Sequence, residues 1–134
     1  IEKFDGGFAS HQFLLDWWWC FLYFHQDDEQ KLRKKLDGII DMLGTETAHM
    51  DFTLVAFFTA WLDGAGAALP YLSQAHELNE FNLYWSEYFY LPEQVSDDPD
   101  WLAFWQQPRL AGLIEMRRAN QTLERVGHWK DRQP

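Results

Sequence analysis

The chain has 134 residues, enough for one domain that buries roughly 65–70% of its unfolded surface without a metal or a disulfide. Its 47% hydrophobic content excludes a disordered polypeptide, and the lone Cys20 excludes an intramolecular disulfide and fits a reducing, cytoplasmic setting. The net charge of −10, with twelve Asp or Glu and no Lys or Arg between Leu36 and Pro108, repels phosphate and argues against direct nucleic-acid binding.

The positive charge that exists is local. Four cationic residues fall in Lys31–Lys35, and Arg109–Pro134 nets three positive; both read as solvated helix faces. Eleven Phe, eight Trp and five Tyr are many for one small core. Rings left outside it imply a stacked neighbour or a homodimer through exposed aromatics. The chain opens at Ile1, without Met or a signal peptide, and reads as the C-terminal part of a larger protein.

Residues 8–26 are the most apolar stretch, with an unbroken run from Trp17 to Phe24. The run is shorter than the ~20 residues a bilayer requires, and Asp16 interrupts it, so no membrane span is expected. Aromatic content alone would allow a strand, but the length favours a helix, apolar on nearly every side and therefore expected at the centre of the fold. Asp27 and Asp28 suit an N-cap, and Leu32, Leu36, Ile39, Ile40 and Leu43 give the next helix one buried stripe. Gly44 suits its C-cap and Thr45–Thr47 a loop.

A third helix is predicted over about 48–63, broken at Gly64 and Gly66, and a fourth over about 67–79 with Pro70 near its first turn. So short a connection makes these two an antiparallel hairpin. Residues 81–90 predict a fifth helix. Asp98 and Pro99 suit the N-cap and first position of a sixth, which Pro108 ends or kinks. A last helix is predicted over about 109–126, with Leu110, Leu113, Ile114 and Leu123 inward. Gly127 closes it and 128–134 fray.

Met50–Glu80 resembles one tetratricopeptide repeat. Ala56, Ala68 and Ala75 stand where that repeat needs small residues at close helix crossings. Phe52 and Leu72 stand at its large apolar positions, and Asp63–Gly66 at its bend. Thr59 and Glu80 depart from it, replacing an aromatic and a Pro. The tail from Pro92 to Asn120, with Asp98-Pro99-x-Trp101, Pro108 and Arg117-Arg118-Ala119-Asn120, looks like the segment that ends many bacterial repeat proteins, where such repeats follow a winged-helix regulator or a nucleotide-cyclase domain. The resemblance implies an all-α fold over 1–134: antiparallel helical hairpins stacked as a short tetratricopeptide-like superhelix, capped by a C-terminal helix. It also implies a concave groove lined by Met50, Thr53, Phe57 and Ala60, and one repeat later by Tyr84 and Glu87. The groove would hold a protein or peptide segment, basic or neutral opposite so acidic a body, unless the chain's own helices fill it.

No pattern demands chemistry. His11, His25, His49, His76 and His128 form no HxxxH or HExxH pair, so neither a metal nor another cofactor is expected. Asp27–Glu29 and Asp97–Asp100 lack calcium-loop spacing and precede predicted helices, where carboxylates cap. The expected function is thus a non-catalytic protein- or peptide-binding module of a signalling or transcription-regulatory protein. Two alternatives stand beside it. One is a sensor holding a small apolar ligand among Trp17, Trp18, Trp19, Phe21 and Tyr23. The other is an enzyme using carboxylates as acid and base. Three consecutive Trp on a helix point about 100° apart, so at least one must face away from any single pocket.

Overall fold

A computed structural model describes residues 15–42, 51–80, 82–84 and 91–132, with side chains described to Asn120. The protein is all-α. Helix α1 covers 15–25 of the described residues. It is followed by α2 (Glu29–Asp41), α3 (Phe52–Asp63), α4 (Ala65–Glu77), α5 (Glu93–Ser96), α6 (Pro99–Trp105) and α7 (Pro108–Arg132).

The corner between α1 and α2 takes three residues. Asp28 N–H donates to the Tyr23 carbonyl and Asp27 N–H to that of Phe24. With Asp27 at φ 58°, this is a Schellman ending that uses Asp where Gly is commoner. Asp28 then caps α2 by accepting from Lys31 N–H at 3.1 Å. One aspartate of the pair therefore ends a helix and the other starts one. Lys35 meets Asp16 at 2.8 Å, which lays α2 antiparallel to α1.

The central element is α3. Every residue from Thr53 to Ala60 is buried, so the helix meets neighbours on all sides. Leu54, Val55 and Phe58 pack with Trp17 and Cys20 of α1 and with Leu32, Leu36 and Ile39 of α2. Ala56, Phe57 and Ala60 pack with α4, Leu83, Val95, α6 and Leu110 of α7. The sequence predicts α1 at the centre because it is apolar on nearly every side, and it is not there. It lies outside α3, with Trp17 and Cys20 inward and Leu15, Trp18, Trp19 and Leu22 exposed.

Gly64 alone joins α3 to α4, serving as C-cap of one and N-cap of the other. Its φ 92°, ψ 175° belongs to a region essentially restricted to glycine. Helix α4 starts two residues earlier than predicted, so Pro70 lies about half a turn deeper. Its ring removes the N–H that would bond the Gly66 carbonyl. Both residues are exposed, and water can take that place. The predicted helix over 81–90 lies outside the described residues except for a 3₁₀ turn at 82–84, whose Leu83 is fully buried. The expected cap Gly44 also lies outside them.

Asp98 caps α6 as expected, accepting from Asp100 N–H at 3.0 Å and Trp101 N–H at 3.1 Å. Pro108 opens α7 instead of kinking α6. Helix α7 runs past Gly127, the expected end, to Arg132. One interior glycine costs a helix only about 1 kcal/mol, too little to end it among good helix formers.

Thr59 is buried, and among the described residues its hydroxyl finds no hydrogen-bond partner. Thr59→Val should raise stability by about 1 kcal/mol by removing that polar atom. Gly64→Ala should cost about 1–3 kcal/mol through backbone strain, because no atom lies within 4 Å of the added methyl. Gly38→Ala, equally uncrowded but in the middle of α2, should stabilise by about 0.5–1 kcal/mol. Urea unfolding of the three variants checks the opposite signs.

Candidate functional site

Of the residues expected to line a groove, those on α3 lie in the interior. Thr53, Phe57 and Ala60 are buried. Phe57 lies edge-on to Trp101 at 5.8 Å and 6.4 Å from Trp105, so α6 occupies the face a peptide would need. The aromatic side chains that follow Pro99 bury themselves against Phe57 and the rest of that cluster. Tyr84 is half-buried and packs against the same cluster. Met50 and Glu87 lie outside the described residues. Ala56, Ala68 and Ala75 come together in that cluster, each fully buried, at the crossing of α3 and α4.

Asp16, Asp28, Asp51, Asp63 and Asp98 have structural tasks. Asp28, Asp51 and Asp98 cap helices. Asp63 holds Arg33 at 2.9 Å, Asp16 holds Lys35 and Asp28 holds Lys31 at 3.6 Å, which absorbs most of the basic run in α2. No group of three or more His, Cys, Asp or Glu able to hold a metal occurs among the described residues. The Cys20 thiol is buried beside Asp16, and burial above all pushes its pKa up to about 12, so it stays a protonated core residue at neutral pH.

Glu80 carries the one polar constellation that sequence reasoning missed. The Schellman ending of α4 passes through Asn79 at φ 53° and turns the chain back toward the start of α3. There the Glu80 carboxylate accepts from Phe52 N–H at 2.9 Å, Thr53 N–H at 2.8 Å and the Thr53 hydroxyl at 2.8 Å. Asp51 accepts from Leu54 N–H at 3.1 Å and is bonded in turn by Asn82. Two carboxylates thus satisfy the free N–H groups of a helix whose first turn is largely buried. Glu80 stands 28 residues from Phe52, so no local pattern announces it; its place where the repeat has Pro is the only sequence sign. Arg109 of α7 donates to the Asn79 side chain at 2.7 Å, tying the last helix to the same corner.

Among the described residues, Leu78, Leu102 and Met116 are exposed apolar side chains on three separate elements, and the one contiguous exposed apolar row lies on α1. Leu15, Trp18, Trp19 and Leu22 follow i, i+3, i+4, i+7 spacing on the face turned away from α3. Trp17 points the other way and stacks on Phe58 at 6.0 Å, while Trp19 stacks on Tyr23 at 5.7 Å. The three Trp therefore do not converge on one pocket. No helix among the described residues is long and apolar enough to cross a membrane.

With this geometry established, comparison adds no relative: no family, curated protein or solved structure matches the chain.

Glu80 gives the site a measurable signature. Burial and nearby Asp51 raise its pKa above the ordinary 4.5, outweighing the hydrogen bonds that lower it. A carboxyl raised in the folded state binds more protons there than in the unfolded chain, so its contribution to stability falls as pH rises above about 4.5. Glu80→Ala should destabilise by about 1–2 kcal/mol through the lost cap, and the loss should be larger at acidic than at neutral pH. Denaturant midpoints of both proteins across that range check the magnitude and the sign.

Proposed function

We propose that this chain is a non-catalytic association module whose contact surface is the outer face of α1. The observation that carries the reading is the exposed row Leu15, Trp18, Trp19 and Leu22. A contiguous aromatic and aliphatic strip left in water costs free energy that association recovers, and strips of this kind mark interaction sites. Trp is also the residue most enriched among binding hot spots. The strip is straight and helical, so its partner is an apolar face of another helix, packed side by side.

Asp16, Asp28, Asp51, Asp63 and Asp98 support the same reading, since caps and ion pairs occupy them. The likeness of Met50–Glu80 and of the tail from Pro92 to the repeat segments of bacterial regulators favours a regulatory setting over an enzymatic one. The surface differs from the one that likeness implies: it is the outer face of the first helix and not the inner face of a repeat.

In vivo photo-crosslinking tests the assignment. p-Benzoylphenylalanine introduced at position 18 should form a defined adduct, identified by peptide mass spectrometry, at least fivefold above the same probe at exposed Ser73 on α4. Equal yields at the two positions would remove α1 as the contact surface.

A further inference from the structure

We infer that the helix docking on α1 is α1 of a second copy, in an antiparallel pair about a two-fold axis between Trp18 and Trp19. The inference rests on the contact surface just proposed and specifies its occupant.

The strip reads the same in both directions: Leu15, two residues, Trp18, Trp19, two residues, Leu22. An isologous contact requires this property, because each residue i that meets j must also meet it with the roles exchanged. Antiparallel pairing sets Leu15 of one copy against Leu22 of the other and Trp18 against Trp19. No side chain is left facing a mismatched one.

The area is sufficient. Leu15 is 51% exposed, Trp18 71%, Trp19 45% and Leu22 41%. With about 200 Å² for a free Leu and somewhat more for Trp, these fractions amount to roughly 500 Å² per chain. A symmetric pair buries about 1,000 Å² from four side chains per copy, the threshold for a specific interface.

Charge sets the character of the contact. Each copy carries −10, so two copies repel at a distance. The strip itself carries no ionised group: the nearest carboxylate on α1, Asp16, lies off the strip and is bound to Lys35. Association is therefore apolar at the contact, and the electrostatic repulsion that opposes it is screenable. Added salt should tighten it, whereas a basic partner on so acidic a chain would be released by salt.

Sedimentation of the full chain tests the pairing. The expected mass is twice the 16.0 kDa of one chain, with a dissociation constant that falls as salt rises from about 0.02 to 0.5 M. Trp18→Glu should weaken dimerisation at least tenfold with unchanged helical circular dichroism. Leu22→Gln should do the same, a second check should the first variant unfold. Residues 15 and 22 lie about 10 Å apart along the helix, beyond disulfide reach. Leu15→Cys mixed with Leu22→Cys should thus form a disulfide-linked pair on oxidation, and either variant alone should not. Cys20 is buried and does not compete. A monomer at all concentrations, a dimer indifferent to Trp18→Glu, or self-linking of Leu15→Cys alone would overturn the inference. A monomer whose position 18 crosslinks a different protein would remove the second copy and leave the contact surface standing. A monomer with no adduct would remove both.

Discussion

A helix buried on all sides is the constraint on which this structure depends. Helix α3 contributes to two clusters at once: Leu54, Val55 and Phe58 to one, and Ala56, Phe57 and Ala60 to the other. Because α3 is shared, the α1–α2 pair and the group α4–α7 are held together through it. The alanines at its crossing with α4 make this possible. Ala56, Ala68 and Ala75 are fully buried, and a larger side chain at any of them would force the two helices apart in an interior that is already close-packed. Gly64 adds the second condition, because only a residue without Cβ turns the chain in one step at φ 92°.

Burying a helix raises a difficulty at its ends, where N–H groups lack intrahelical partners. Here the solution is tertiary. Asp51 serves the α3 start locally, and Glu80 arrives from the far end of the hairpin to accept three further hydrogen bonds. The α3–α4 hairpin is closed at one end by a glycine and at the other by a carboxylate. Arg109 fastens α7 to that same corner through Asn79. A carboxylate held half-buried against three donors is a structural clamp, and its raised pKa records the desolvation this position imposes.

The distribution of aromatic residues determines which surface remains free. Trp101, Phe104 and Trp105 of α6 close over Phe57, so that face of α3 is interior. Trp17, Phe21 and Phe24 join Phe58 from the other side. Three consecutive Trp cannot all point inward on a helix that contacts the core along one side only, and Trp18 and Trp19 remain in water as a consequence of helical geometry. Among the described residues, the exposed Trp side chains thereby fall together in one strip.

Much of this follows from local sequence. The stripe Leu32, Leu36, Ile39 is readable as helical from spacing, Asp28 and Asp98 as caps from their position before helices, and the all-α class from both. The close approach at Ala56, Ala68 and Ala75 is readable because small residues recur at hairpin spacing. Tertiary structure decided what local pattern cannot encode. That α3 and not α1 is central depends on which helix acquires neighbours on every side, since both are apolar enough. That Phe57 is covered and Trp18 exposed depends on where α6 lands after a chain reversal. That Glu80 caps α3 depends on a contact across 28 residues. Periodicity and capping act within a few residues along the chain and leave their mark in the sequence, whereas burial is settled by competition among all the apolar faces for the same limited interior.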